Sequence, residues 1–243
     1  MTATLEQASW ADVEALRNEV MSTGASSSVE NTAAQFTKNL VDRFESVVLA
    51  RLFLVLPFSK LDAAATSGLQ QKFGSDPRLK PTTPVLTLLG TTGREPQWNQ
   101  RLTSEGHLAI PLLDRAFVQG IPMIAKLLAD LEADLANLDS GMPIASRKLL
   151  GGQNATFYVP DARTMVDSQG RSVISATPFV TRYGVRGVFG MGGAYLDGSL
   201  AVAVIFTNEV LERLTVDKFP SLIGNFKMAT SKLVSAGKIF SAK

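Results

Sequence analysis

The chain has 243 residues, 45% of them hydrophobic, and this composition supplies enough apolar side chains for a substantial core. Its formal net charge is only +2, so no overall field directs it to nucleic acid or to an anionic membrane. It has no cysteine and one histidine, which excludes disulfides, thiol catalysis, iron–sulfur clusters and multi-histidine metal sites.

The first fifty residues predict two helices separated by a break. Ser9 can cap the first helix, because apolar residues recur after it at helical spacing. Residues 24–28 read Gly-Ala-Ser-Ser-Ser, which is typical of a flexible hinge. The second helix begins at Ser28 and has an apolar stripe at steps of three and four. We therefore divide the chain into an N-terminal helix and hinge, residues 1–27, and a single domain, residues 28–243.

Residues 47–58 are too short and too evenly apolar for an amphipathic helix, and they predict a buried strand. Arg51 lies inside this run. Either it marks a face of the strand that reaches solvent, or it faces a ligand. A helix over 59–73, capped by Ser59 and stopped by Gly74, and a short strand over 85–89 are predicted next.

The middle of the chain is irregular and carries several candidate site residues. Residues 90–104 read as a polar loop, in which Trp98 either plugs a groove or lines a pocket; Arg101 belongs to the same loop. His107 precedes a short strand over 108–111. It is either a hydrogen-bonded structural histidine or, as the less favoured alternative, a haem ligand.

Helices are predicted over 114–119 and 122–138, and a flexible loop over 146–152. An anion contact by Arg147 or Lys148 is the alternative function of that loop. Tyr158, in the predicted strand Ala155–Val159, is a further candidate binding residue.

The last part of the chain predicts an antiparallel meander followed by a helix. A strand is expected over 173–180, and residues 182–207 read as a hairpin with a type I′ turn at Asp197-Gly198. Its second arm, 200–206, is almost wholly apolar and predicts a central strand covered on both faces. Arg182 and Arg186 lie on the first arm and face either a cavity or open water. Asp217 can cap the terminal helix.

The order of these elements disfavours a parallel sheet, because the closing strands follow one another as a meander. It predicts an α+β fold: an antiparallel sheet of five or six strands. The N- and C-terminal helices pack on one face, and the loop and helix insertion covers the other.

One segment resembles a known family. The sequence GVFGMGGAYLDGSLAVAVIFT, followed by an amphipathic helix, is similar to the end of a GAF domain, a PAS-like sensory module of bacterial signalling proteins, and the likeness spans residues 28–238. It implies a small molecule bound between the sheet and the middle insertion, a homodimer formed through the terminal helices, and a signalling partner protein. The chain lacks the chromophore cysteine and the NKFDE signature found in some GAF domains. This argues against a bilin or a cyclic nucleotide and leaves the cofactor unknown.

We therefore predict a non-enzymatic, cytoplasmic sensory module. The candidate ligand-binding residues are Arg51, Trp98, Arg101, His107, Arg147, Tyr158, Arg182 and Arg186. One alternative is an interaction scaffold with a vestigial pocket, docking through its basic terminal helix. An enzyme is less favoured, since no acidic pair stands at an informative spacing and no GxSxG elbow is present.

Nucleic acid and membrane partners are not expected. The sequence shows neither an aromatic RNA-binding motif nor a helix-turn-helix signal. Its N-terminus has no apolar segment of a secretory signal, and the apolar run at 47–58 is too short to span a bilayer as a helix.

Overall fold

The computed structural model describes residues 3–23, 26–104, 107–138, 144–145, 147–150 and 152–242, with only the backbone for residues 147 and 148. The helices are α1 Trp10–Ser22, α2 Val29–Arg43, α3 Ala63–Phe73, α4 Arg115–Gln119, α5 Pro122–Asp130, α6 Arg147–Leu150, α7 Thr177–Arg182, α8 Arg213–Val216 and α9 Ser221–Ser235. The strands are β1 Val47–Pro57, β2 Pro84–Gly93, β3 Ala109–Pro111, β4 Ala155–Val159, β5 Gly187–Ala194 and β6 Leu200–Thr207. Short 3₁₀ turns lie at Phe58–Lys60, Pro96–Asn99 and Leu135–Asn137.

Within the described residues, six strands form one antiparallel sheet in the order β3-β2-β1-β6-β5-β4. The two central strands, β1 and β6, pair along most of their length, and Arg51 lies opposite Val204. Every residue of β6 is buried, as its continuous apolar sequence predicts for a strand covered on both faces. The prediction of a central strand at this position is confirmed.

Three helices cover one face of the sheet. Helix α2 packs on β1 and β2, α9 packs on β5 and β6, and α1 packs on α9 and α2. Phe36 of α2 meets Phe226 of α9 edge to face with ring centroids 5.7 Å apart. Ser9 caps α1 through a capping box with Asp12, and the Ser28 side chain accepts from the Asn31 N–H at the start of α2, as predicted.

The chain between β2 and β5 covers the other face. Helices α5 and α7, with the loop that follows β2, pack on the alternate side chains of β1 and β6, among them Val202, Val204 and Phe206. The predicted α+β architecture, with terminal helices on one face and an insertion on the other, is thereby confirmed.

The hairpin turn differs from the prediction. A type I′ turn needs positive φ at both central residues, whereas only Gly198 has it, with φ of 84°. The Gly198 N–H donates to Tyr195 O at 3.0 Å, and the Tyr195 N–H donates to Ser199 O at 2.8 Å. The connection is therefore a three-residue loop with glycine in the left-handed position.

The prediction of a strand over 173–180 is wrong, because residues 177–180 belong to helix α7, Thr177–Arg182. Pro178 has no N–H for a sheet ladder but is tolerated in the first turn of a helix. Strand β2 is longer than the predicted 85–89 because pairing with β1 continues to Gly93. Part of the predicted polar loop is consequently strand.

The helix predicted over 122–138 stops at Asp130, because Glu132 adopts a left-handed backbone with φ of 53°. Helix α3 is capped by Asp62 rather than Ser59; the Asp62 side chain accepts from the Ala65 N–H at 2.9 Å.

Two further element boundaries differ from the prediction. Asp217 follows the short helix α8 and accepts from Arg213 Nε at 2.8 Å, so it does not cap the terminal helix, which begins at Ser221 after Pro220. The loop predicted over 146–152 contains the short helix α6, while Ser146 and Gly151 lie outside the described residues. Gly24 and Ala25 of the predicted hinge also lie outside them.

None of the helices in the described part of the chain combines the length and the apolar character needed to cross a membrane.

Candidate functional site

A cavity of about 350 Å³ lies between the sheet and the segment that covers its second face. This volume is at the lower end of the range typical of small-molecule sites. The cavity is open on one side, where His107, Ser175 and Ala176 are exposed residues around its mouth.

The floor of the cavity is formed by the central strands. Leu49, Arg51 and Phe53 alternate along β1, and Val204 and Phe206 extend the same surface on β6. Because successive side chains of a strand point to opposite faces, residues two apart share this wall.

The roof consists of side chains from α5, from α7 and from the segment before α7. Met123, Ile124 and Leu127 project from α5; Ile174 and Phe179 close the side nearest α7. Most of the lining is therefore apolar, and an apolar ligand surface would be well accommodated.

Arg51 supplies a positive charge within this apolar lining. Its guanidinium Nη2 donates to Ser104 Oγ at 3.2 Å. Burial lowers the pKa of Arg51 to about 10, so the group remains protonated at neutral pH. The side chain of Arg51 is half-buried and lines the cavity.

His107 and Ser175 contribute the other polar side chains among the described lining residues. Partial burial lowers the pKa of His107, and the positive charges of Lys72 and Arg51 lower it further. The histidine is thus neutral at pH 7 and can donate one hydrogen bond and accept another.

Trp98 is buried against neighbouring aromatic rings and also lines the cavity. Only 4% of the residue is exposed, although it comes from a polar stretch of sequence. Its ring lies 4.7 Å from that of Tyr183 and 5.7 Å from that of Phe179, in edge-to-face geometries, and it also lines the cavity. The loop after β2 is therefore anchored at the cavity by this indole.

Arg101 lies outside the cavity, on the side of the terminal helices. It donates from Nη1 to Asp62 Oδ2 at 2.7 Å and from Nε to the carbonyl of Leu88. Its guanidinium lies 4.9 Å from the Phe240 ring centroid and 4.0 Å from Glu30 Oε1. Arg101 thus joins the loop that carries Trp98 to α2 and to the C-terminal segment.

Three further candidates, Tyr158, Arg182 and Arg186, do not line the cavity. Tyr158 donates its hydroxyl to the carbonyl of Leu211. Arg182 is exposed at the end of α7, not on the hairpin arm, and Arg186 pairs with Asp161 at 3.0 Å just before β5. The Arg147 side chain lies outside the described residues.

Sequence reasoning missed most of the cavity roof. The segment 174–179 was expected to be a strand, and Ile124 and Leu127 were not among the candidate ligand-binding residues. Pro178 was the signal available, since a proline inside an apparent strand argues against that assignment. No local pattern distinguishes a helix stripe that lines a cavity from one that fills a core.

Among the described residues, no group of three or more histidine, aspartate or glutamate side chains is placed to hold a metal ion. The polar groups of the cavity lining can orient a ligand through one cation, one imidazole and one hydroxyl. Its described residues include no carboxylate that could serve as a general base beside the histidine.

No protein-family model matches the sequence, and no curated protein sequence matches it. Solved structures do match. Free methionine-R-sulfoxide reductase from Neisseria meningitidis, in complex with its substrate, is 11% identical with a TM-score of 0.50, and the match covers 97% of this chain and 99% of that one.

Two GAF domains are also similar. The GAF domain region of a putative membrane protein from Geobacter sulfurreducens is 12% identical with a TM-score of 0.44, covering 84% of this chain and 93% of that one. The phycocyanobilin-bound GAF domain of a cyanobacterial phytochrome is 13% identical with a TM-score of 0.47, covering 92% and 94%. In its α+β fold the chain is similar to the reductase and to these GAF domains. At these identities the likeness concerns the fold and not the function.

Proposed function

We propose that this protein is a non-enzymatic sensory module that binds a small molecule in the cavity between its sheet and its middle insertion. The observation that carries the proposal is the cavity itself: an apolar chamber of about 350 Å³ with a half-buried arginine, Arg51, in its wall. Such a combination is the usual form of a ligand site. The absence of cysteine throughout the chain is in keeping with a reducing cytoplasm, where we place the protein.

An enzymatic role is a weaker proposal. The similar reductase from Neisseria meningitidis acts on a methionine sulfoxide, and reducing a sulfoxide requires a two-electron donor. This chain has no thiol to supply those electrons. We therefore propose binding without turnover for the same cavity.

The binding proposal predicts that a cavity ligand both stabilises the protein and quenches Trp98. A ligand at 100 times its Kd stabilises the folded state by about 2.7 kcal/mol, which is a readily measured shift in Tm. The chain has two tryptophans, so the Trp10→Phe variant leaves Trp98 as a single reporter in the cavity wall. A broad small-molecule screen by thermal shift, followed by fluorescence titration, makes the measurement.

The matched control for this titration is Trp98→Phe, which keeps the exposed Trp10 as the single reporter. Saturable quenching should disappear in that variant while the thermal shift remains. If no compound in the broad screen stabilises the protein, and native mass spectrometry of the purified protein finds no bound small molecule, the sensory proposal is wrong.

We propose that occupancy is passed to the terminal segments through the loop after β2. That loop carries Trp98 at the cavity and Arg101 at the α2 end of the molecule. The first N–H groups of α2, those of Val29 and Glu30, donate to Lys238 O and Ile239 O at 3.0 and 2.9 Å. The N–H of Ser241 in turn donates to the Glu30 carboxylate at 3.0 Å.

A ligand that moves Trp98 should therefore change hydrogen–deuterium exchange at residues 238–242. We expect altered protection at the amide of Ser241 on saturation with the tightest compound from the screen, because its acceptor Glu30 lies beside Arg101. In the Arg101→Met variant, ligand binding should persist and the change at 238–242 should vanish. Unchanged exchange in the wild-type protein at saturation would contradict this route.

Homodimerisation through the terminal helices belongs to the same proposal. The outer surfaces of α1 and α9 expose large apolar side chains, with Trp10 67% and Met228 62% exposed, which favours contact with a second copy. The alternative function is a scaffold whose basic terminal helix docks on an acidic partner. Salt-sensitive association, with no ligand response, would favour that alternative.

A further inference from the structure

We infer that the cavity takes a ligand with an aromatic ring, and that this ring lies among Trp98, Phe179 and Phe206. This inference deepens the proposed function and depends on it, because it names the chemical class of ligand for the same cavity and the end of the cavity that binds its ring.

Three aromatic side chains from different elements meet at one end of the cavity. Trp98 comes from the loop after β2, Phe179 from α7 and Phe206 from β6, and all three line the cavity. The ring centroids of Trp98 and Phe179 are 5.7 Å apart at an interplanar angle of 62°, and those of Phe179 and Phe206 are 5.4 Å apart at 90°. Aromatic rings attract one another in edge-to-face and offset-stacked arrangements. A ligand ring at this end would extend a series of such contacts.

The wall that Trp98 forms is held in place by two residues outside the lining. A Cβ added to Gly93 would lie 2.7 Å from Trp98 Cε3, so the indole packs directly against the backbone of β2. The Tyr183 ring lies 4.7 Å from the indole and 5.5 Å from the Phe179 ring. Because these contacts fix both rings before a ligand enters, binding does not require the wall to be ordered first.

The size and composition of the remaining space suit a ring with a short apolar extension. A cavity of about 150 Å³ lined by leucine, isoleucine and phenylalanine binds benzene, and this cavity has a volume of about 350 Å³. Its walls beyond the three rings include Phe53, Met123 and Leu127, and a methionine thioether makes favourable contacts with the edge of a ring. A single six-membered ring therefore leaves room for a short chain that extends towards Phe53 and Leu127.

The test compares aromatic compounds with their ring-saturated partners in the Trp10→Phe background. The probes are 3-phenylpropan-1-ol beside 3-cyclohexylpropan-1-ol, and 4-phenylbutan-2-one beside 4-cyclohexylbutan-2-one; all of them are uncharged. Burial of apolar surface alone favours the larger cyclohexyl ring. Contacts with the three rings should reverse this order, so that at least one aromatic compound binds about three- to tenfold more tightly than its partner, as measured by Trp98 fluorescence and by thermal shift.

Two measurements locate the ligand ring. An aromatic compound should shift the indole N–H resonance of Trp98 in the NMR spectrum through its ring current, and its saturated partner should shift that resonance much less. Phe179→Leu should lower the preference for the aromatic compound to less than about twofold, because leucine keeps the apolar surface without the ring. The NMR measurement alone decides the position of the ring where Phe179→Leu does not fold.

The matched control is Phe73→Leu, which makes the same chemical change outside the cavity. The Phe73 ring packs edge to face on Phe117, with centroids 5.8 Å apart, and neither residue lines the cavity. This variant should keep the full preference for the aromatic compounds.

The outcomes separate this inference from the proposed function. If the saturated partners bind as tightly as the aromatic compounds, or if the preference survives in Phe179→Leu, the inference is wrong while the cavity remains a binding site. If none of these probes binds, the tightest cavity ligand of the broad screen is compared with its ring-saturated form, and a ligand without an aromatic ring contradicts the inference. If the broad screen also finds nothing, both proposals are wrong.

Discussion

Replacing Gly90 by valine is expected to destabilise the protein by about 3 kcal/mol or more, the largest effect of any single substitution considered for this fold. A Cβ at Gly90 would lie 2.3 Å from the backbone oxygen of Ala33 and 2.9 Å from the N of Ala34. These are backbone atoms in the middle of α2, so relief requires moving the helix off the sheet. Urea denaturation followed by circular dichroism measures the loss.

The matched control is Gly68→Ala in α3. A Cβ added at Gly68 meets no atom within 4 Å, and the position is inside a helix. This variant should gain about 0.5–1 kcal/mol, because alanine in a helix interior is favoured over glycine by that amount. Similar stability of the two variants would mean that α2 does not pack on β2 as closely as described.

The second large effect is expected on binding. Ala176 is an exposed residue at the mouth of the cavity, and a tryptophan in its place would occupy the entrance. Ala176→Trp should abolish the Tm shift produced by any cavity ligand, a loss of about 2.7 kcal/mol of ligand stabilisation at 100 times the wild-type Kd. Stability without ligand should change little, because the new side chain does not enter the core.

Thr181→Trp is the control for the Ala176→Trp variant. Thr181 is exposed on the same helix, α7, and does not line the cavity. The control variant should keep the full ligand response. Should Ala176→Trp keep it as well, the ligand binds elsewhere or enters by another route.

The sheet and its helical cover could be predicted because the signals are local. The apolar run of β6 and the capping residues Ser9 and Ser28 each act within a few residues of the chain. Together, these local signals predicted an antiparallel sheet with the terminal helices on one face. The turn type was missed because Asp197-Gly198 is compatible with more than one hairpin loop.

The cavity could be predicted only in part. Arg51 and Trp98 stood out because a charge in an apolar strand and an aromatic ring in a polar loop are both exceptions to ordinary burial. The roof was not predictable in this way. Helix α7 has only six residues, and its β-branched flanks favour a strand until tertiary packing decides.

Arg101 is a predicted candidate residue that does not line the cavity. It was chosen from the same polar loop as Trp98, yet its side chain is 5% exposed and pairs with Asp62 on the helical side. Sequence proximity to a cavity residue does not place a side chain in the cavity, because the loop crosses the edge of the sheet between them. The residue contributes instead to the connection between the loop and the C-terminal segment.

The account depends on the chamber between the sheet and helices α5 and α7 being the place where a small molecule binds. A crystal structure of the protein soaked with its tightest-binding compound tests this most directly. We expect density for the compound against Phe53 and Val204, beneath Leu127. Density for the compound on the face covered by α1, α2 and α9, with the chamber empty, would contradict the account.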